Sequence, residues 1–149
     1  MEFFALTKQY WTYRGLQMDL EILQIASDTK NQKSLKNHTH NSRLKNSLCG
    51  DEMEIKLIIE KDKITDFGYD GKSCIYCQAS ASLLSKISIN KKKSQIDELC
   101  NDANSYFEGN FQIIKRKWKF FNKLFKEKNL SRKECILLPF KTLKKIVSN

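Results

Sequence analysis

The run from Glu52 to Glu60 constrains the fold more than any other part of the chain. Apolar Met53, Ile55, Leu57 and Ile59 alternate there with Glu54, Lys56, Ile58 and Glu60, the period of a strand with one face buried. Turn-like Lys61-Asp62 follows, then a second extended run from Lys63 to Tyr69, so the spacing predicts a β-hairpin.

Helical periodicity flanks the hairpin. Residues Met18 to Ala26 repeat apolar side chains at helical spacing, with Asp19 and Glu21 early, where they suit the helix dipole. The polar stretch Asn31 to Ser47 reads as a surface loop or an edge segment. After the hairpin, Asp70-Gly71-Lys72-Ser73 supplies turn and helix-start chemistry for a helix through Ala79, Ala81, Leu83, Leu84 and Ile87. Ser94 is placed to cap a helix over Gln95 to Phe107, which Gly109-Asn110 ends. Helical spacing then resumes from Phe111 to Phe125 through Ile114, Trp118, Phe121 and Leu124. Ser131-Arg132-Lys133-Glu134 has capping-box spacing for a last helix from Cys135 to about Val147, with Pro139 near its start.

With 149 residues, 40% of them hydrophobic, the chain has material for one ordinary core. The expectation is one domain over residues 18–149 behind an N-terminal extension, 1–17. No apolar run approaches the ~20 residues that span a bilayer, and Met1 to Leu16 lacks the pattern of a signal peptide. These features predict a soluble, cytoplasmic protein with no membrane partner.

The formal charge of +10 is localised. Between Phe111 and Asn149, twelve Lys or Arg face only Glu127 and Glu134, which accounts for the whole excess. A basic helical face is ordinarily solvated surface, so the charge alone is a weak argument for nucleic-acid binding.

Five cysteines, an odd number at irregular spacings, look unlike a secreted disulfide framework and more like thiols kept for chemistry. Cys49 lies just before the hairpin, and Cys74 and Cys135 lie near predicted helix starts, a position that lowers a thiol's pKa and favours the thiolate. Asp51 shares a face with Cys49 if that segment is extended. Three thiolates and one carboxylate satisfy tetrahedral zinc, and such cysteines also hold iron–sulfur clusters; the residues alone leave both open. A lone cysteine is more often a small buried hydrophobe than a ligand, and Cys100, in the helical stretch Ile96 to Phe107, reads as a packed or surface residue outside the site. Cys74-Ile75-Tyr76-Cys77 also fits a redox pair or half a zinc knuckle, although no βαβ pattern precedes it and no second CxxC follows. His38 and His40 read as surface residues. A phosphate-binding glycine loop, HExxH and G-x-S-x-G are all missing, which disfavours nucleotide enzymes and ordinary hydrolases.

Taken in order, Leu48-Cys49-Gly50-Asp51, Asp70-Gly71-Lys72-Ser73-Cys74 with Ala79-Ser80-Ala81-Ser82, and Lys133-Glu134-Cys135-Ile136-Leu137 resemble the IscU/SufU/NifU N-terminal-domain family of iron–sulfur cluster assembly proteins. The likeness runs from about Asp19 to Val147. It implies an α+β fold, a small antiparallel β-sheet packed against several helices, with the three cysteines and the aspartate gathered at one exposed end. It also implies a scaffold or sulfur-transfer protein rather than an enzyme of ordinary turnover. Such a protein accepts persulfide sulfur from a pyridoxal-phosphate cysteine desulfurase and serves recipient iron–sulfur apoproteins. Cys49 and Cys135 are then candidate persulfide acceptors, Cys49, Cys74 and Cys135 the cluster cysteines, and Asp51 the fourth ligand that tunes lability. Glu134 stands where better-known scaffolds carry histidine, and the long stretch between Cys74 and Cys135, holding two helices, resembles the SufU branch, whose members lack that histidine, bind zinc through three cysteines and an aspartate, and pass sulfur onward. Cys77 is an extra thiol where relatives carry a small residue. The alternative function is a structural zinc-binding module with a basic face for docking nucleic acid or protein.

Overall fold

The computed structural model describes residues 20–149, and the proposed extension 1–17 lies outside them. Residues 20–26 are helical (α1). Three strands follow, β1 (His40–Lys45), β2 (Glu52–Glu60) and β3 (Lys63–Asp70), then helices α2 (Ile75–Ser88), α3 (Lys93–Phe107), α4 (Gln112–Lys117) and α5 (Lys133–Val147). Two 3₁₀ turns, Lys119–Phe121 and Glu127–Arg132, lie between α4 and α5. The architecture is α+β, as the sequence predicts.

The strands form one antiparallel sheet in the order β1-β2-β3. Lys61 and Asp62 both take positive φ, 50° and 67°, the geometry of a two-residue turn whose twist matches the flanking strands. Register sets Ile55 opposite Tyr69 and Leu57 opposite Phe67, so one face of the sheet is continuous and apolar. Met53, Ile55 and Leu57 are buried as the alternation requires. The pattern slips at Ile59, which is half-buried, because a bulge between Ile58 and Ile59 shifts the register. The polar stretch before Cys49 supplies β1, an edge strand.

Helices α2 and α5 cover the apolar face of the sheet and pack on each other, with α3 against α5. The Ala79-Ser80-Ala81-Ser82 run explains their close approach. Both alanines are fully buried, and the serine hydroxyls donate across elements, Ser80 to the Ile136 carbonyl of α5 at 2.7 Å and Ser82 to the Asp28 carbonyl at 2.9 Å. Beyond α3 the core is aromatic: Phe121, Phe125 and Phe140 meet with ring centroids 5.5–5.8 Å apart, and Tyr106 lies edge-on to Phe125 at 5.2 Å.

Three helix boundaries differ from the sequence expectation. Helix α3 begins at Lys93, one residue before Ser94, and the Lys92 backbone N–H donates to Gln95 Oε1 at 3.0 Å, so Gln95 rather than Ser94 supplies the cap. The segment after Gly109 is not one helix to Phe125: it stops at Trp118, whose backbone leaves the helical region (φ −131°, ψ 55°) while its indole N–H donates to Asp102 at 2.7 Å. Periodicity alone does not register a side chain whose hydrogen bond turns the chain. Helix α5 starts at Lys133, two residues before Cys135, because Ser131 belongs to the preceding 3₁₀ turn and makes no side-chain cap.

Candidate functional site

Cys49 sits in the loop that joins β1 to β2. The loop closes on Asn46: its N–H donates to the Asp51 carbonyl at 2.7 Å, its carbonyl accepts from Gly50 N–H at 2.8 Å, and its side-chain oxygen accepts from Leu48 N–H at 3.0 Å. Gly50 takes φ +76°, a left-handed conformation that costs glycine little. Cys49 is exposed, and the adjoining Leu48 retains 83% of its accessible surface.

Cys74 is the N-cap residue of α2, in extended conformation, and its thiol makes no cap hydrogen bond. The turn before it lies against the start of β2, where Glu52 N–H donates to the Lys72 carbonyl at 2.8 Å. That contact holds the Cys74 loop beside Asp51. Cys135 enters from the third residue of α5 and is 8% exposed. Arg132, just before α5, stacks its guanidinium over the Tyr76 ring of α2 at 5.1 Å, tying the starts of the two helices together.

These elements bring one ligand atom each from Cys49, Asp51 and Cys135 within 4.8 Å of one another, the one such group among the described residues. Cys74 lies outside that trio but beside Cys135, on which its thiol acts directly. Burial, followed by the neighbouring Cys74, Asp51 and Cys49, raises the Cys135 thiol far above its ordinary range. The helix start therefore does not make Cys135 a ready thiolate. Its desolvation and the negative charge around it outweigh the helix end, and both penalties fall when a cation binds.

The donor set fits a soft metal or a cluster. Asp51 Oδ2 is buried and has no hydrogen-bond partner, an arrangement that is costly for a carboxylate unless a cation or further donor completes it. Asn46 Nδ2 and Ser73 Oγ, on the two loops that carry Cys49 and Cys74, are likewise buried and unpartnered. Asn46 was not legible as a site residue; only its turn-forming type marks it in the sequence. Cys100 is buried in α3, the packed rather than the surface placement of the two the sequence leaves open, and is outside the cysteine–aspartate group. His38 Nδ1 lies 3.1 Å from the Leu35 carbonyl and His40 Nδ1 2.8 Å from the Thr39 hydroxyl, and neither belongs to the cysteine–aspartate group.

The NifU-like N terminal domain family matches residues 18–105. The chain is 33% identical over 125 residues to the iron–sulfur cluster assembly scaffold protein IscU of Thermotoga maritima, covering 83% of this chain and 87% of that one. Among solved structures, it superposes with a TM-score of 0.75 and 26% identity on an iron–sulfur cluster assembly scaffold described for the SUF system of Fervidobacterium islandicum, over 85% of this chain and 93% of that one. The N-terminal part of a NifU-like protein from Brucella abortus shares the fold at 18% identity, with a TM-score of 0.65 over 85% and 89% of the two chains. No helix among the described residues is long and apolar enough to cross a membrane. The chain therefore belongs to the IscU/SufU/NifU family of iron–sulfur cluster assembly scaffolds, with SufU-like character.

Proposed function

We propose that this protein accepts sulfur from a pyridoxal-phosphate cysteine desulfurase and assembles or relays it at Cys49, Asp51, Cys74 and Cys135, for delivery to recipient apoproteins in the cytoplasm. The observation that carries this reading is the convergence of Cys49, Asp51 and Cys135 around a buried carboxylate oxygen without a partner.

Cys49, exposed on its loop, is the accessible acceptor. Its thiolate attacks the outer sulfur of the desulfurase persulfide, and the desulfurase thiolate leaves. Thiolate exchange then moves the sulfur to Cys74 or Cys135 without net oxidation. The three thiolates hold iron and sulfide as cargo, and Asp51 contributes an oxygen, a harder donor that leaves one corner of the site exchangeable. With Glu134 beside Cys135, no imidazole is available at that position. The same four donors suit zinc, which would hold the loops together and lower the thiol pKa values while sulfur is relayed.

The test is sulfur loading from a cysteine desulfurase and L-cysteine without added reductant. Wild type should acquire cyanide-labile sulfur, and Cys49→Ser should lose at least tenfold. Undiminished loading in a Cys49→Ser, Cys74→Ser, Cys135→Ser triple variant would overturn the proposal.

A further inference from the structure

Asn46 closes the Cys49 loop through its backbone and its side-chain oxygen, and one of its polar atoms is left over. Residues 47–50 are exposed, whereas Asn46 and Asp51, at the two ends of that turn, are half-buried. The pairing of β1 with β2, which ends with Lys45 opposite Glu52, is carried one pair further by the bond from Asn46 N–H to the Asp51 carbonyl. Residues opposed in an antiparallel pair project their side chains from the same face, with Cβ atoms about 5 Å apart. The Asn46 amide and the Asp51 carboxylate are therefore neighbours, on the face that the pair Leu44 and Met53 turns to the core.

The orientation of the amide is fixed, because Oδ1 accepts from Leu48 N–H at 3.0 Å and Nδ2 is left as the free end. Nδ2 is buried and has no partner among the described residues, and the same holds for Asp51 Oδ2, so the two do not bond each other. Their needs are opposite. A cation completes the carboxylate but offers nothing to an N–H donor, which only an acceptor satisfies. The third orphan, Ser73 Oγ, turns to donate or to accept and does not discriminate between ligands.

We infer that Asn46 Nδ2 donates a hydrogen bond to sulfide carried with iron at Cys49, Asp51, Cys74 and Cys135, and so favours sulfide-bearing cargo over a bare metal ion. This rests on the proposed assembly role. Sulfide bound to a cation beside Asp51 is an anionic acceptor next to the amide, and its charge makes the bond stronger than one to a neutral acceptor. Zinc held by the same four side chains leaves the amide unpaired, with the cost of a buried donor unrelieved. One residue thus has two roles: Oδ1 shapes the turn that carries Cys49, and Nδ2 distinguishes what the site holds.

Two variants of the full chain separate the roles. Asn46→Asp keeps an oxygen for Leu48 N–H but has no N–H to donate, and Asn46→Ala removes both groups without adding charge. Zinc affinity is measured by competitive chelator titration, and cargo retention by the rate at which iron and acid-labile sulfide are lost to a chelator after anaerobic reconstitution. Asn46→Asp should bind zinc at least as tightly as wild type, which also shows that it folds, and lose iron and sulfide about tenfold faster, the effect of one hydrogen bond to a charged acceptor. Asn46→Ala should lose cargo about tenfold faster too, with a smaller fall in zinc affinity, about threefold, from the loosened turn. Zinc affinity and retention falling in parallel in either variant would assign Asn46 to the turn alone. A rise in zinc affinity in Asn46→Ala would assign the amide to Asp51, and unchanged retention in both variants would leave the donor without a role; each of these results overturns the inference alone. Wild type that takes up no sulfide with its iron overturns the assembly role, and this inference with it.

Discussion

Replacing Gly71 by alanine tests how the sheet positions the site. Gly71 takes φ +153°, and an added Cβ would press into the Glu52 carbonyl, 2.9 Å from its carbon and 3.1 Å from Met53 Cα. All three are backbone atoms at the start of β2, so no side-chain rotation relieves the overlap. The disfavoured dihedral costs about 1–2 kcal/mol, and separating the strands enough to break the Glu52-to-Lys72 hydrogen bond adds about 1–2 kcal/mol more. Gly71→Ala should therefore lose about 3 kcal/mol, a fall of roughly 10 °C in melting temperature for a domain of this size. Cys74, three residues on, moves away from Asp51, so zinc affinity by competitive chelator titration should fall at least tenfold, or ~1.4 kcal/mol. Gly109→Ala is the control, because Gly109 has φ +116° but nothing within 4 Å of the added Cβ. It should show only the dihedral cost, about 1–2 kcal/mol, and unchanged zinc affinity. If the two variants melt alike and bind zinc alike, the close approach of the Cys74 loop to β2 does not position the site.

Other consequences are more local. Ser80→Ala removes the hydroxyl that joins α2 to α5 and should cost about 1 kcal/mol in urea unfolding, with Cys135 becoming faster to alkylate; unchanged stability and alkylation would mean that this bond does not hold the helices in register. Burial raises the Cys100 thiol from 9.0 to about 12, so its contribution to stability is intact below pH 9 and is lost as pH rises towards about 12. Above pH 9 the apo protein should lose about 1.4 kcal/mol per pH unit through this thiol, and Cys100→Ala should flatten the stability profile there by that amount. Charge reversal at exposed Lys115, Lys119 and Lys123 should slow association with a cysteine desulfurase at low salt and leave dissociation nearly unchanged, as stopped-flow mixing would show. An unchanged on-rate would assign the basic segment to solvation alone.

The hairpin was legible because alternation over nine residues has one structural meaning and Lys61-Asp62 fits its turn. Two cysteines of the candidate site stood out in the sequence because each sits at a local punctuation mark, Gly50 after Cys49 and Gly71-Lys72-Ser73 before Cys74. What escaped the sequence was set by contacts between distant residues. Trp118 ends its helix by reaching Asp102, and the Ile59 alternation slips at a bulge fixed by pairing with β3. Cys135 reads as an activated thiol from its helix position, yet burial against Cys74, Asp51 and Cys49 raises its pKa instead. Asn46 organises the Cys49 loop through three hydrogen bonds, none of which leaves a motif.

The most direct measurement is metal and acid-labile sulfide content of the chain after anaerobic reconstitution with a desulfurase, L-cysteine and ferrous iron. The account predicts iron with matching sulfide in wild type and in Cys100→Ala, and loss of both in each of Cys49→Ser, Cys74→Ser and Cys135→Ser. Iron and sulfide retained when all three of those cysteines are replaced, or absent from wild type, would contradict it.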